Sequence, residues 1–209
     1  MILTPIEPER LRAMLASFAT LLRAPWARHA FHRIAVLRHA ARAEGLDAAL
    51  HHRQALALAR RFAMGLRPSS PRAGYGWDGR ALNACTEAYV LLHEVAHYQL
   101  AAPGRRRRID FGLGPGPETG DRAGAERAAA LMGLGREREE AMASLLGILW
   151  EAALGQPALA SFLDQNWLEG MKTGAAARHF ETTLGKLVAG GFVTATGQPS
   201  RRLRRAPDP

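Results

Sequence analysis

Residues 91–100, LLHEVAHYQL, decide how the chain is interpreted, because they place two histidines four residues apart in an apolar setting. On a helix, His93 and His97 project from the same face one turn apart, so both imidazole rings can be directed at one metal ion. Glu94 directly follows the first histidine. The stretch therefore predicts a helix over residues 81–101 that carries an HExxH metal site. Its apolar contacts are expected from Ala84, Ala88, Leu91, Leu92, Val95 and Leu100.

A third metal ligand is required, because two histidines hold a divalent cation weakly and a carboxylate most often completes such a site. Glu137, Glu139 and Glu140 open a helix that is predicted from about residue 137 to 154. Periodicity puts Glu139 on the apolar stripe of this helix. Spacing alone leaves the third ligand open between Glu139 and Glu140. Glu140 shares its face with small residues that would allow a close approach to the histidine helix, namely Ala143, Ser144 and Gly147.

Composition and patterning predict a single domain of the α+β class, predominantly helical with a small sheet. The chain has 209 residues, of which 47% are hydrophobic, enough to bury one sizeable core. Residues 1–66 are predicted to be an N-terminal helical scaffold, 67–80 a Gly/Pro-rich loop, 81–195 the metal-site region and 196–209 a basic flexible tail. The segment RIDFGL, residues 108–113, is predicted to be a short strand, and a helix is expected to start near Asp121.

The net charge of +9 is carried by 28 basic residues, nearly all of them arginine. The basic clusters, RRRR at 105–108 and RRLRR at 201–205, are short and contain no interleaved aromatic residues, so nucleic acid is not an expected partner. No apolar stretch reaches the length of a membrane span, and no leader pattern opens the chain. A lone cysteine, Cys85, suits a reducing compartment, so we expect a cytoplasmic protein that does not bind a membrane.

Several blocks resemble the elongation factor P hydroxylases, bacterial enzymes that hydroxylate the modified lysine of that translation factor. The blocks are LHEVAHYQLA at 92–101, the arginines and DFG of RRRRIDFG at 105–112, and LGQPALASFLDQNWLEG at 154–170. The resemblance covers about residues 85–190, and its DFG begins thirteen residues after His97. It implies a site of two histidines and one carboxylate, formed by His93, His97 and, counting back from LGQP without gaps, Glu140. It also implies elongation factor P as the protein substrate.

Three functions remain open at the level of sequence. The resemblance favours Fe(II) and hydroxylation, with Glu94 outside the ligand set, where it orients a histidine or moves a proton. The bare motif favours Zn(II) and peptide hydrolysis, with Glu94 as the general base that takes a proton from water. The third function is a non-catalytic basic module that docks an acidic partner through Arg105–Arg108. No motif for 2-oxoglutarate, flavin or nucleotide identifies an electron donor, and the oligomeric state is left open.

Overall fold

The computed structural model describes residues 8–68, 75–116 and 119–206. In these ranges the chain is mostly helical with one small sheet, which confirms the predicted fold class. No helix among the described residues is long and apolar enough to cross a membrane. The helices are α1 Pro8–Leu21, α2 Pro25–Ile34, α3 Gly45–Arg61, α4 Ala88–Leu100, α5 Arg122–Ala128, α6 Gly133–Leu154, α7 Ala158–Asp164 and α8 Ala175–Ala189, with 3₁₀ turns at Leu37–His39, Arg105–Arg107, Ile109–Gly112 and Met171–Thr173.

The sheet consists of two short parallel strands, β1 (Gly65–Arg67) and β2 (Ala81–Asn83). Gly65 pairs with Ala81, and a Cβ at Gly65 would lie 2.5 Å from the carbonyl oxygen of Arg80, so the strands can approach only because this residue is glycine. The predicted Gly/Pro-rich loop at 67–80 connects the strands, and its residues 69–74 lie outside the described ranges. The strand pair fixes the direction in which the chain enters α4.

The prediction of a continuous helix over 81–101 is wrong for its first third, because Ala81–Asn83 is a strand and α4 begins at Ala88. Polar side chains explain the difference. Asp78 Oδ1 accepts the backbone N–H of Ala81 at 2.8 Å, and Asn83 Oδ1 accepts that of Cys85 at 3.0 Å. Such local side-chain bonds favour turns over helix.

The short strand predicted at RIDFGL is also wrong, since Ile109–Gly112 forms a 3₁₀ turn. Asp110 and Phe111 have φ angles of 41° and 54°, a left-handed conformation that no strand contains. Tertiary contacts hold the turn: the Asp110 N–H donates to the Trp77 carbonyl at 2.9 Å, and the Phe111 ring stacks on Trp77 with centroids 5.5 Å apart. Burial of these two rings therefore overrides the local preference for extended backbone.

The core has an aromatic centre around which four helices pack. Phe18, Phe31, Phe162 and Phe180, from α1, α2, α7 and α8, are fully buried, and the rings of Phe18 and Phe31 are 4.8 Å apart. Beside this cluster, α4 packs along α6. The helix pair is joined by side chains that expose none of their surface: Leu91, Leu92, Val95, Leu145, Leu146 and Leu149.

The ends of the later helices largely follow the sequence signals. Asp121 caps α5 by accepting the backbone N–H of Gly124 at 2.9 Å, as the predicted start near Asp121 requires. The helix predicted from about residue 137 starts four residues earlier, at Gly133, and ends at Leu154 before a left-handed Gly155. The tail, expected to be flexible, is bonded to α4, because Gln99 Nε2 donates to the carbonyls of Ser200 and Arg202 at 2.8 and 2.9 Å.

Candidate metal centre

The candidate centre forms where α4 and α6 approach each other most closely. Gly147 of α6 faces the backbone of α4, and a Cβ there would lie 3.2 Å from His93 Cα. Ala143, one turn earlier on α6, is fully buried. Because Glu140 lies on the same face one further turn away, the small residues bring its carboxylate to the two histidines. This close approach is the one that the small-residue face of Glu140 predicts.

Three side-chain atoms converge between the two helices. His93 Nε2 lies 3.0 Å from His97 Nε2, and Glu140 Oε2 lies 3.7 Å from the first and 3.3 Å from the second. Two atoms that each lie about 2.1 Å from one ion are about 3.0 Å apart at a right angle and about 3.4 Å apart at the tetrahedral angle. The spacing of the three atoms thus fits a single divalent cation, and among the described residues they form a group that could hold one.

The environment of the cluster keeps its carboxylate charged. Burial acts to raise the pKa of Glu140, but His97 and hydrogen bonds from both imidazoles outweigh it and hold this pKa well below its usual range. Burial and the neighbouring His97 lower the pKa of His93. Burial also acts to lower the pKa of His97, yet the Glu140 carboxylate prevails and raises it. The arrangement favours an anionic Glu140, a neutral His93 and one positive charge, which a cation can supply in place of the His97 proton.

Glu139, the alternative third ligand, does not reach the cluster. Its carboxylate is bound by the guanidinium of Arg105 through two hydrogen bonds, one of them 3.0 Å long between Arg105 Nη1 and Oε1. Both side chains are buried, with 4% and 7% exposed. Periodicity thus predicts the burial of Glu139 correctly, but this carboxylate pairs with the guanidinium of Arg105 and not with a metal-site histidine. Glu137, the remaining candidate, is exposed.

Glu94, the predicted proton-transfer residue, lines the same cavity as both histidines. Its carboxylate lies against Gly76 in the loop before β2, where a Cβ would be 2.9 Å from Oε1. Gly76 therefore leaves the space that the carboxylate occupies. Sequence reasoning missed this residue, although the run GYGWDG at 74–79 gives a signal for a close backbone approach.

Asp110 and Phe111 of the DFG block line the same cavity, next to His97. The Phe111 ring stacks on His97 at 5.7 Å with 22° between the planes. His97 Nδ1 is buried without a hydrogen-bond partner among the described residues. The His97 ring is therefore oriented by this stacking together with the contacts of its Nε2 to His93 and Glu140. Asp110 accepts a hydrogen bond from Thr119 Oγ1 at 2.8 Å, and burial raises its pKa. The sequence indicated the block but not its function as a support for His97.

The cluster is open on two sides. The cavity bounded by Glu94 and Phe111 has a volume of about 480 Å³, and a second, of about 620 Å³, extends along α6 towards Trp167. His93, Glu140 and Gln165 line both cavities. The two cavities thus meet at the cluster.

Gln165 is oriented by a relay of hydrogen bonds. Trp167 Nε1 can only donate, and it does so to Ser144 Oγ at 2.9 Å. The Ser144 hydroxyl in turn donates to Gln165 Oε1. With its carbonyl oxygen bonded in this way, Gln165 directs its amide N–H groups away from Ser144, where they can donate to a ligand.

The other six histidines do not join the cluster. His179 stacks on Trp167 at 5.1 Å beside the second cavity, and His52 Nε2 bonds the carbonyl of Ala84 at 2.8 Å. The remaining histidines lie in or next to α2 and α3, away from the metal-site group: His29, His32, His39 and His51.

Comparisons with known proteins leave the family open. No protein-family model, curated protein or solved structure matches the chain. The chemistry of the site must therefore be argued from the geometry of its own residues.

Proposed function

We propose that this protein is a metal-dependent enzyme and, within that class, a non-haem iron hydroxylase that acts on the modified lysine of elongation factor P. The observation that carries the proposal is the convergence of His93 Nε2, His97 Nε2 and Glu140 Oε2 within 3.7 Å of one another at an open cavity. Two histidines and one carboxylate on one face are the ligand set of many iron oxygenases. The likeness of the HEVAH and DFG blocks to the hydroxylases supports the narrower assignment.

The residues around the cluster have separate roles in the proposed reaction. His93, His97 and Glu140 would hold the iron, which would supply the redox chemistry of the reaction. Phe111 keeps the His97 ring in place, and the apolar wall that it shares with Leu113 excludes water from the reacting side chain. Gln165 would donate hydrogen bonds to a substrate carbonyl that crosses between the cavities, so that the target carbon is held at the centre.

Glu94 moves protons in this proposal. Hydroxylation inserts one atom of dioxygen into a C–H bond and reduces the other to water, which consumes two electrons and two protons. The electrons must come from an external reductant. Glu94, whose carboxylate lines the cavity beside both histidines, can deliver protons from solvent without binding the metal.

A second candidate is a zinc-dependent peptidase, which the same position of Glu94 favours. In HExxH peptidases the glutamate that follows the first histidine is the general base that deprotonates the attacking water. Glu94 would then take that proton at its carboxylate and pass it to the leaving amine. In the peptidase, a Glu94→Gln variant would keep its zinc but lose peptide cleavage.

The deciding experiment combines metal analysis with two assays. Protein purified without added metal is analysed for iron and zinc and is then loaded with each metal. With Fe(II), ascorbate and elongation factor P bearing its modified lysine, we expect oxygen uptake and a mass gain of one oxygen atom on the substrate. Zinc-only loading accompanied by casein cleavage would refute the hydroxylase and support the peptidase. Unchanged metal content in both His93→Ala and Glu140→Ala would refute the site itself.

A further inference from the structure

The two arginine runs of the sequence meet on one surface. Arg106, in the 3₁₀ turn after α4, donates from Nη2 to the carbonyl of Arg204 at 2.6 Å and from Nε to the carbonyl of Tyr98 at 2.8 Å. Clusters that look short along the chain therefore combine in the fold. We use the term basic face for the exposed side chains of the two runs, which are Arg107, Arg108, Arg201, Arg202 and Arg205.

A buried side chain anchors the tail, which supplies three of the five arginines of the basic face. Gln99 is fully buried, and its side-chain amide donates to the backbone carbonyls of Ser200 and Arg202. The backbone carbonyl of Gln99 accepts the backbone N–H of Arg204 at 2.9 Å. Trp150 Nε1 donates a hydrogen bond to the side-chain oxygen of Gln99 at 2.7 Å. Bringing like charges together is unfavourable, so these hydrogen bonds must offset the repulsion between the two runs. The fold thus maintains the concentration of charge by specific contacts.

A concavity of about 430 Å³ lies between the two runs. Arg105, Arg108 and Arg205 line it together with Ala102–Gly104 and Ala130, and no carboxylate lines it among the described residues. Arg105 is neutralised by Glu139 beneath the surface. In the described part of the chain, no carboxylate lies within 4.0 Å of the guanidinium of Arg107, Arg201 or Arg205. The basic face therefore presents uncompensated positive charge around a hollow suited to an anion.

We propose that the basic face binds the phosphate backbone of a nucleic acid. A guanidinium group can donate two parallel hydrogen bonds to the oxygens of one phosphate. Several exposed arginines without intervening acidic residues therefore complement the repeated negative charges of a phosphodiester chain. A protein partner would instead require apolar anchors at its centre. Among the described residues that line the concavity, none has a large apolar side chain. With no exposed aromatic ring on the basic face to stack on bases, contact is limited to the backbone and has low sequence preference.

Binding is tested by fluorescence anisotropy with a labelled oligouridylate of about 20 nucleotides. The variant R107S/R201S/R205S removes three guanidiniums that make no side-chain hydrogen bond in the described structure. The matched control, R12S/R53S/R60S, removes three exposed arginines of α1 and α3 and reaches the same net charge. We expect the first variant to raise Kd by about tenfold or more and to lower the slope of log Kd against log salt by about two, since each phosphate contact contributes about 0.7. The control should change Kd by less than about threefold.

Equal weakening in both variants would overturn the proposal, because it would show that net charge alone attracts the probe. Failure of the wild type to bind at low salt would do the same. Tighter binding to a polyglutamate peptide of matched length than to the oligouridylate would also overturn it, because the partner of the basic face would then be an acidic protein. The inference is independent of the catalytic proposal: a His97→Ala variant should bind the oligonucleotide as the wild type does, whatever becomes of its metal.

Discussion

Gly147 lies directly against the backbone of His93, and a Cβ at position 147 would be 3.2 Å from His93 Cα and 3.3 Å from His93 N. This contact sets the distance between α4 and α6 where the candidate metal centre is formed. A separation of even a few tenths of an ångström matters, because the ligand atoms must stay about 2 Å from a shared ion. Helix packing therefore determines the geometry of the candidate metal centre at this glycine.

Gly147→Val is expected to weaken both stability and metal binding. Overpacking of this kind costs about 1–3 kcal/mol, and pushing α6 outward carries Glu140 away from the histidines. Urea denaturation and competition with a metal-sensitive dye measure the two effects. Gly185→Ala is the control, because a Cβ there meets only Trp26 at an ordinary 3.6 Å and alanine favours helix. Wild-type metal affinity in Gly147→Val would disprove this link between packing and metal binding.

Glu140 belongs to the candidate metal centre, whereas its neighbour Glu139 forms a buried ion pair with Arg105. Replacing each in turn by glutamine should therefore have different effects on metal affinity and on stability. Glu140→Gln removes a ligand charge and is expected to lower metal affinity by about tenfold or more. Glu139→Gln leaves the buried guanidinium of Arg105 without its counter-charge and should cost about 3 kcal/mol of unfolding free energy with metal affinity retained. Isothermal titration with Co(II) and urea denaturation provide the two readouts. If the two phenotypes were exchanged, the ligand assignment would be wrong.

The sequence predicted the histidine helix and a second helix that carries the candidate glutamates because those features are local. A spacing of four residues and a face of small side chains depend only on helical periodicity. The contact of Gly147 with His93 is a long-range one that forms between two helices in the folded chain. The choice between Glu139 and Glu140 was not local. It depends on Arg105, which is far away in sequence and reaches Glu139 only in the folded chain.

The turn at Asp110 and Phe111 shows the same limit for secondary structure. Alternating apolar residues favoured a strand, but the ring of Phe111 is held between Trp77 and His97, which come from two other elements. The joining of the arginine runs likewise depends on hydrogen bonds from Gln99 to the tail. Long-range contacts of this kind leave no periodic trace in the sequence.

Phe111 offers a test of that turn that separates ring packing from backbone strain. Phe111→Ala should cost about 3–5 kcal/mol, because the ring is 1% exposed and fills the space between Trp77 and His97. Glycine at an ordinary position is about 1 kcal/mol worse than alanine, but at a φ of 54° it avoids the clash of a Cβ. We therefore expect Phe111→Gly to be at least as stable as Phe111→Ala in urea denaturation. A glycine variant clearly less stable than the alanine variant would contradict the left-handed conformation.

Glu151 of α6 is expected to make stability depend on pH. Its carboxyl group is 2% exposed, and burial raises its pKa to about 8, although Arg42 Nη1 lies 3.5 Å away. Between about pH 4.5 and pH 8 the unfolded chain has lost this proton while the folded protein keeps it, so stability falls as the pH rises and levels off above pH 8. At pH 7 the free energy of unfolding is lower than at about pH 4.5 by on the order of 3 kcal/mol because of this group.

Glu151→Gln should remove this dependence, because the amide preserves the shape of the side chain and cannot ionise. Wild type and variant share every other titrating group, including the histidines, so the difference between their unfolding free energies isolates Glu151. We expect that difference to be small at about pH 5 and to grow in favour of the variant up to about pH 8. Urea denaturation at about pH 5, 6.5 and 8 measures it. A difference that stays constant with pH would mean that Glu151 is ionised throughout, held by Arg42 as a buried ion pair.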